Sequence, residues 1–368
     1  MKVCLIGTDP NDIGGLTKST RYLMYVCKIL GYDCTCFSSK NVKFDLLRKC
    51  DIIQVHVPLD PLTMFKVLLL KKTKKILTLH GWVLDEAKVN VLMANYALEK
   101  MKLLLIYVFV TLNWVLHKLF FIPFIYNYVT AVSRITAKKN GVKALITPNP
   151  VLCRNMSFHR DNQAVQVSTD RDKIIFVTYV SIGGGKILSI PKLIKIVHLL
   201  NQRLRCLGIN KRVILYIYGK DVPQHIIERF PKIPYVRFIG YVKDYPERVK
   251  EADLFLAGYT FPELGHAMLE AICAGVPGAK FTEDPSQEEI IDGFNGILAS
   301  NDEEMLEKLI KYIIDMDNLK KTFAINAEKT ILRRRSLKYI AIIWRVVIEN
   351  LMKSRKEGKS IVFMQISY

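Results

Sequence analysis

Apolar residues in the first half of the chain fall into short runs, and between the runs apolar positions recur every three or four residues. The runs Val3–Gly7, Asp33–Phe37, Ile52–Val57, Lys75–Leu79 and Tyr128–Val132 predict strands. Gly15–Leu30, a short piece near Phe44–Lys49 and the stretch Pro61–Lys71 predict helices. Short apolar strands separated by helices imply a parallel sheet covered on both faces. Ser133 is placed to cap the helix after Val132. Leu145-Ile146-Thr147-Pro148-Asn149-Pro150 reads as an extended exit, because each proline disfavours helix in the residue before it. A polar stretch, 159–172, then marks a boundary. A second series follows, with strands Lys173–Tyr179, Arg212–Tyr218, Val236–Ile239, Leu254–Ala257 and Gly278–Phe281, and a helix Pro191–Leu207. Helices from Asp302 and Asp317 come next, and a last one, roughly Ser336–Lys353, is apolar on one side and basic on the other. The pattern divides the chain into domains 1–158 and 173–332 and a basic tail 333–368.

Composition refines this picture. A chain of 368 residues has room for two domains, each with its own core. The eight cysteines are scattered without a Cys-x-x-Cys, so most read as reduced core residues of an intracellular protein, and a structural zinc is not expected. Met1–Gly7 reads as a first strand rather than a signal peptide. The net charge of +20 is segregated: residues 1–158 carry 22 Lys/Arg against 9 Asp/Glu, 159–332 carry 23 against 23, and the tail from 333 carries 9 against 2. Nucleic acid is a poor fit to this partition, since the aromatics are not interleaved with the basic clusters as a stacking platform requires. The excess points to an anionic partner of the first half. Within Tyr96–Leu119 an apolar body, Leu103–Val110, lies between Lys100, Lys102 and Lys118. The longest apolar piece, Leu103–Leu116, is about fourteen residues and short for a bilayer crossing. Two readings fit it, a helix at an acidic membrane surface and a buried helix of the first domain.

The densest chemistry lies between Pro262 and Pro277. Gly265 opens a run of helix formers, His266-Ala267-Met268-Leu269-Glu270, and Gly275-Val276-Pro277 ends it. The open amides of a helix start suit a phosphate or sugar oxygen. A carboxylate such as Glu270, one or two turns in, accepts charge-assisted hydrogen bonds from sugar hydroxyls, and Glu263 lies just ahead of the helix. The same spacing also fits an ordinary amphipathic helix with two acids. Gly14-Gly15 precedes the first helix without forming G-x-G-x-x-G, so a nicotinamide dehydrogenase is not indicated. His80 ends a strand at the carboxyl edge of the first sheet, where open α/β folds bind ligands.

Leu269-Glu270-Ala271 with Gly275 and Pro277 resembles the L-E-A-x-A-x-G-x-P signature of the retaining glycosyltransferases of family 4. That family's preceding E-G-F-G would put a glutamate at position 262, where this chain has Pro262, with Glu263 one step later. The resemblance continues along the chain, in order. It implies that Gly14 and Gly15 let donor sugar and phosphates approach the backbone, and that His80 faces the donor sugar. Lys186 is similar to the lysine that pairs with the donor diphosphate, although Ser181 or Ile182 stands where the family has an arginine. Gly219, Gly240 and Tyr241 match the segments that hold base and ribose, Gly265, His266 and Ala267 the donor-binding helix start, and Glu263 and Glu270 the catalytic pair.

The resemblance implies an α/β protein of the GT-B fold. Two Rossmann-like domains would face each other across a cleft, the first holding the acceptor and the second the nucleotide-sugar, with the C-terminal helix crossing back to the first. The implied reaction is metal-independent transfer of a hexosyl group, with retention, from a nucleoside diphosphate sugar to a hydroxyl of a glycan or lipid-linked acceptor. The donor is a co-substrate, and no cofactor is expected. The cysteine usage points to a cytoplasmic protein, and the segregated charge beside the Leu103–Val110 run points to one peripheral on an anionic membrane. The alternatives are a nucleotide-sugar epimerase or hydrolase of the same fold, or a non-catalytic binding protein.

Overall fold

The computed structural model describes residues 1–9, 14–39, 42, 44–56, 61–84, 88, 91, 97–153, 172–181, 183–220, 222, 227, 228, 230–259 and 264–357. The chain divides into two units, the first formed by Met1–Pro150 with Arg335–Tyr368 and the second by Val151–Arg334.

The first unit holds strands β1 (Lys2–Gly7), β2 (Asp33–Ser38), β3 (Ile52–Val55), β4 (Lys74–Leu79), β5 (Tyr128–Ala131) and β6 (Leu145–Ile146). They form one parallel sheet in the order β2-β1-β3-β4-β5-β6. Alternate side chains of β1, β3 and β4 enter different cores. Cys4, Ile6, Ile53, Val55 and Leu77 point to one, and Val3, Leu5, Ile52 and Ile76 to the other. That two-sided burial explains why these strands read as continuous apolar runs. Helix α1 (Gly15–Ile29) covers the second face, while α2 (Phe44–Leu47), α3 (Pro61–Leu68) and α4 (Ala97–Leu116) lie on the first. Helix α4 continues through a π turn, His117–Phe121, into Ile122–Phe124. Ser133 caps α5 (Arg134–Asn140), its hydroxyl accepting from the Thr136 amide at 3.1 Å.

In the second unit, β7 (Lys173–Ser181), β8 (Arg212–Lys220), β9 (Val236–Gly240), β10 (Leu254–Ala257), β11 (Gly278–Phe281) and β12 (Gly296–Ala299) form a parallel sheet ordered β12-β11-β10-β7-β8-β9. Its helices include α6 (Ile190–Cys206), α7 (Tyr245–Arg248), α8 (His266–Cys273), α9 (Asp302–Ile314) and α10 (Met316–Ala327). The chain then returns. Helix α11 (Leu337–Glu357) presents Ile340, Trp344, Val347 and Leu351, at the spacing of one helical face, to Leu23, Val26 and Ile76 of the first unit. The C-terminal helix thus completes a core begun some three hundred residues earlier.

Two sequence expectations change here. The reading of most cysteines as reduced holds for Cys27, Cys34, Cys36 and Cys206 but not for the other four, because Cys4 is bonded to Cys50 and Cys153 to Cys273. The partners are 46 and 120 residues apart, and only the strand order brings their Cα atoms to 6.0 and 5.3 Å. The buried-helix reading of Tyr96–Leu119 also fails. The helix over Glu99–Phe124 contains an 18-residue stretch with a mean hydropathy of 1.8 and is long and apolar enough to cross a membrane by length and composition, yet only 11% of that stretch is buried. The apolar segment was underestimated because Lys118 and Pro123 interrupt the pattern without ending the helix. The boundary segment 159–171 lies outside the described residues.

Candidate functional site

In the second sheet β7 and β10 are neighbours, although the chain leaves them towards opposite edges. Such a switch in winding direction opens a crevice at the carboxyl ends of the strands, where doubly wound folds bind ligands. Lys186 follows β7, within the turn Gly183–Ser189, and Tyr259 and Gly265 follow β10. The Lys186 ammonium lies 4.8 Å from the centre of the Tyr259 ring. A Cβ built on Gly265 would stand 2.6 Å from that Nζ, so a side chain there would displace the lysine. Gly265 is also the N-cap of α8. A cation therefore sits at a helix start, where amides lacking intrahelical acceptors and the positive end of the helix dipole add to its field.

Glu270 lies on the second turn of α8 and is only 5% exposed. Beside it stands Tyr245 of α7, its ring edge-on to Tyr179 and Tyr218, with centroids 5.3 Å apart in each pair. Burial, and next the Glu270 carboxylate, push the Tyr245 phenol well above its ordinary range. Its hydroxyl is buried without a hydrogen-bond partner among the described residues. His266 is buried too, and Ala267 packs partly against the same core. Tyr218 leads from this cluster to a cavity of about 150 Å³ at the ends of β7, β8 and β9, lined by Val180, Tyr218, Gly219, Phe238, Gly240 and Tyr241. Gly240 adopts φ +78°, the left-handed region, and so turns the chain across the cavity mouth as it leaves β9.

The first sheet changes winding direction between β1 and β3. There the group that follows β3 is His56, and His80 follows β4. The Nδ1 of His56 and the Nε2 of His80 are 2.7 Å apart, so one ring donates and the other accepts. Burial lowers the His80 pKa to about 4, partly opposed by Asn149. Burial and then His80 hold His56 well below its ordinary value. Both rings are therefore neutral near pH 7. Asn149 is held from two sides, its Oδ1 accepting from the Ser19 hydroxyl of α1 at 3.0 Å and its carbonyl from Arg335 at 3.1 Å. Gly14 caps α1, and none of the described residues lies within 4 Å of a Cβ built on it. Gly15 is exposed beside it.

The expected residues thus fall into one group per unit. Lys186, Gly265, His266, Ala267 and Glu270 gather round the start of α8, next to the Gly219, Gly240 and Tyr241 cavity, while His80 belongs to the first unit with Gly14 and Gly15. Glu263, with Pro262, and Ile182 lie outside the described residues. Sequence reasoning missed His56, Tyr245 and Tyr259, and read Asn149 as structural. His56 had a signal, since it ends the strand beside β1 in the manner of His80 one strand further on. Tyr245 had none, because a tyrosine after a strand and before a proline is an ordinary core residue.

Two parallel six-stranded units with a switch point each, joined by a C-terminal helix that returns to the first, define the GT-B class. Residues 163–330 match the family glycosyl transferases group 1. Among solved structures, sucrose-phosphate synthase from Thermosynechococcus elongatus is similar with 15% identity and a TM-score of 0.64, over 96% of this chain and 99% of that one. HepE of Anabaena, solved with UDP-glucose, is similar with 14% identity and a TM-score of 0.61, over 95% and 99%. TarM, known from S. aureus, is similar with 16% identity and a TM-score of 0.56 over 80% of this chain, which spans about half of TarM's length (54%). At these identities the likeness to solved structures is one of fold. No curated protein matches the sequence.

Proposed function

We propose that this chain is a metal-independent, retaining glycosyltransferase that moves a hexosyl group from a nucleoside diphosphate sugar to a hydroxyl of a glycan or lipid-linked acceptor. The observation that carries the reading is the Lys186 ammonium held against Gly265, at the start of the helix that bears Glu270. A diphosphate bound there meets fixed positive charge and open amides, which stabilise the charge that develops as it leaves the anomeric carbon. Glu270, one turn further on, accepts hydrogen bonds from sugar hydroxyls, and the adjoining cavity takes the base. His80, kept neutral by burial, is a hydrogen-bond partner for a sugar hydroxyl and not a counter-ion for phosphate. The acceptor hydroxyl attacks from the face the diphosphate leaves. HepE, of the same fold, was crystallised with UDP-glucose, and TarM with UDP and alpha-GlcNAc-glycerol, which supports a nucleotide donor and a glycan acceptor.

A panel of nucleoside diphosphate sugars, UDP-glucose first, tests the donor by thermal shift, and acceptor-dependent release of nucleotide tests transfer. Glu270→Gln should lower kcat/KM by about 10- to 150-fold, the equivalent of a charge-assisted hydrogen bond of about 1.5–3 kcal/mol. Unchanged kcat/KM in that variant would remove the assignment. Donor consumption without any acceptor would indicate the epimerase or hydrolase alternative instead.

A further inference from the structure

One side of the first unit carries a surface that the sugar-transfer reading does not use. Helices α3 and α4 lie on the same face of the first sheet, Met64 and Val67 of one and Trp114 of the other entering a common core. Their outward sides remain bare. On α4 and its continuation Leu105 is 66% exposed, Leu119 60% and Phe124 79%, with Phe109, Leu112 and Phe120 between them. On and just after α3, Leu62, Phe65 and Leu69 are more than half exposed. No charged residue occurs from Leu103 to His117. The helical stretch Glu99–Phe124 is about 39 Å long at 1.5 Å per residue. An apolar face of that length is far larger than the patches soluble monomers ordinarily show to water.

We propose that this face seats the protein on an anionic lipid bilayer, with α4 lying in the plane of the interface. Trp114 and His117 fix the orientation. Both are buried in the first unit, so the helix cannot turn upright to cross the bilayer without emptying that core. A helix in the plane sinks its apolar side about 5–10 Å, to the boundary between headgroups and acyl chains. The charge selects the occupant. Lys66, Lys71, Lys72, Lys100 and Lys102 are exposed near the ends of the two helices, in a half of the chain with 22 basic residues against 9 acidic. Anionic headgroups complement those lysines. A second copy packed symmetrically on the same face would set like charges against each other. Lys118 contributes less than its position suggests, because its ammonium rests against Gly141, at the C-terminus of α5. The inference stands on the exposed face alone and is independent of the donor chemistry.

The test is co-sedimentation of the full chain with vesicles of phosphatidylcholine alone, and of phosphatidylcholine and phosphatidylglycerol in equal parts, at low and high salt. Binding should occur with the mixed vesicles and weaken with salt. Leu105→Ser with Phe109→Ser should weaken it by more than about tenfold, since the two side chains otherwise leave water. Lys100→Gln with Lys102→Gln should weaken it by about tenfold at low salt and flatten the salt dependence. Because all four side chains point to solvent, far-UV circular dichroism and melting temperature should not move. Failure of the wild type to sediment with the mixed vesicles, or equal sedimentation with neutral ones, would overturn the proposal. A dimer in light scattering that the serine variant dissociates, with no vesicle binding, would assign the face to a second copy and also overturn it.

Discussion

The two units share a parallel six-stranded sheet and a switch-point crevice, yet they distribute charge in opposite ways. Residues 1–158 carry a large basic excess, but the groups meeting at the first crevice are two imidazoles held neutral by burial. Residues 159–332 balance 23 basic against 23 acidic residues, and this unit closes an ion pair within its fold, whereas the buried Lys75 and Arg335 of the first unit donate to backbone carbonyls. Lys186 stands at the helix start, Glu270 is buried behind it, and Lys280 on β11 pairs with Glu288 with both side chains fully out of solvent. A count of charges along a sequence thus reports mostly on surfaces. It points to an anionic partner for the first half. It could not show that the neutral half closes a buried ion pair.

The sharpest way to break this contrast is at the buried ion pair. The Lys280 ammonium donates to both Glu288 oxygens, at 2.9 and 2.7 Å. Burial still pushes the Glu288 carboxyl up, with Lys280 opposing it, so desolvation is the larger effect on that group. Removing one partner leaves the other charge stranded. Glu288→Gln should therefore destabilise the second unit by about 3–5 kcal/mol, whereas Lys280→Met with Glu288→Met should recover most of the loss. Urea unfolding checks both. A cost below about 1 kcal/mol for the single variant would mean that solvent reaches the pair, and the contrast between the units would weaken.

The first unit offers the converse test, since its groups should resist charging. An unfolded histidine takes up its proton near pH 6.5, whereas His80 does so only near 4 and His56 is likewise held well below its ordinary value. Above pH 6.5 neither state is protonated and the pair costs nothing. As pH falls from 6.5 towards 4 the unfolded chain binds protons that the folded unit does not, so stability declines. His80 is only half-buried. The loss should therefore be about 1–2 kcal/mol rather than the full equivalent of the shift. Unfolding free energies measured across that window should fall more steeply for the wild type than for His56→Asn with His80→Asn. Parallel curves would show that the imidazoles are solvated and chargeable.

Much of the fold was legible because its strands are buried on both faces and its helices on one, two patterns that differ in period. The Gly275-Val276-Pro277 stop and the Ser133 cap were readable for the same local reason, each being a matter of neighbouring residues. What escaped depends on distance in sequence. The Cys4 and Cys153 pairings, the meeting of His56 with His80, and Lys280 with Glu288 each require the strand order or a loop path that no local pattern encodes. The outward face of α4 escaped in part for another reason, since a uniformly apolar helix looks the same from sequence whether it is buried or bare.

The smallest expected effect is no effect, and it bears on what the second unit's internal charge is for. A leaving diphosphate needs positive charge that is in place before the bond breaks. Many enzymes supply it with a divalent ion held by carboxylates. Here Lys186 is held against the Tyr259 ring and Gly265 at the start of α8, and in the proposed reaction its ammonium would meet the leaving group without a metal bridge. Once a donor has been identified, transfer rates should be the same in excess chelator as in added Mg²⁺ or Mn²⁺. Lys186→Ala should instead lower the rate by at least about tenfold, as loss of a charge-assisted contact worth about 1.5–3 kcal/mol implies. Rates abolished by chelator and restored by the ion would show that Lys186 does not neutralise the diphosphate alone, and the second unit's charge would then have to be read as half of a metal-assisted site.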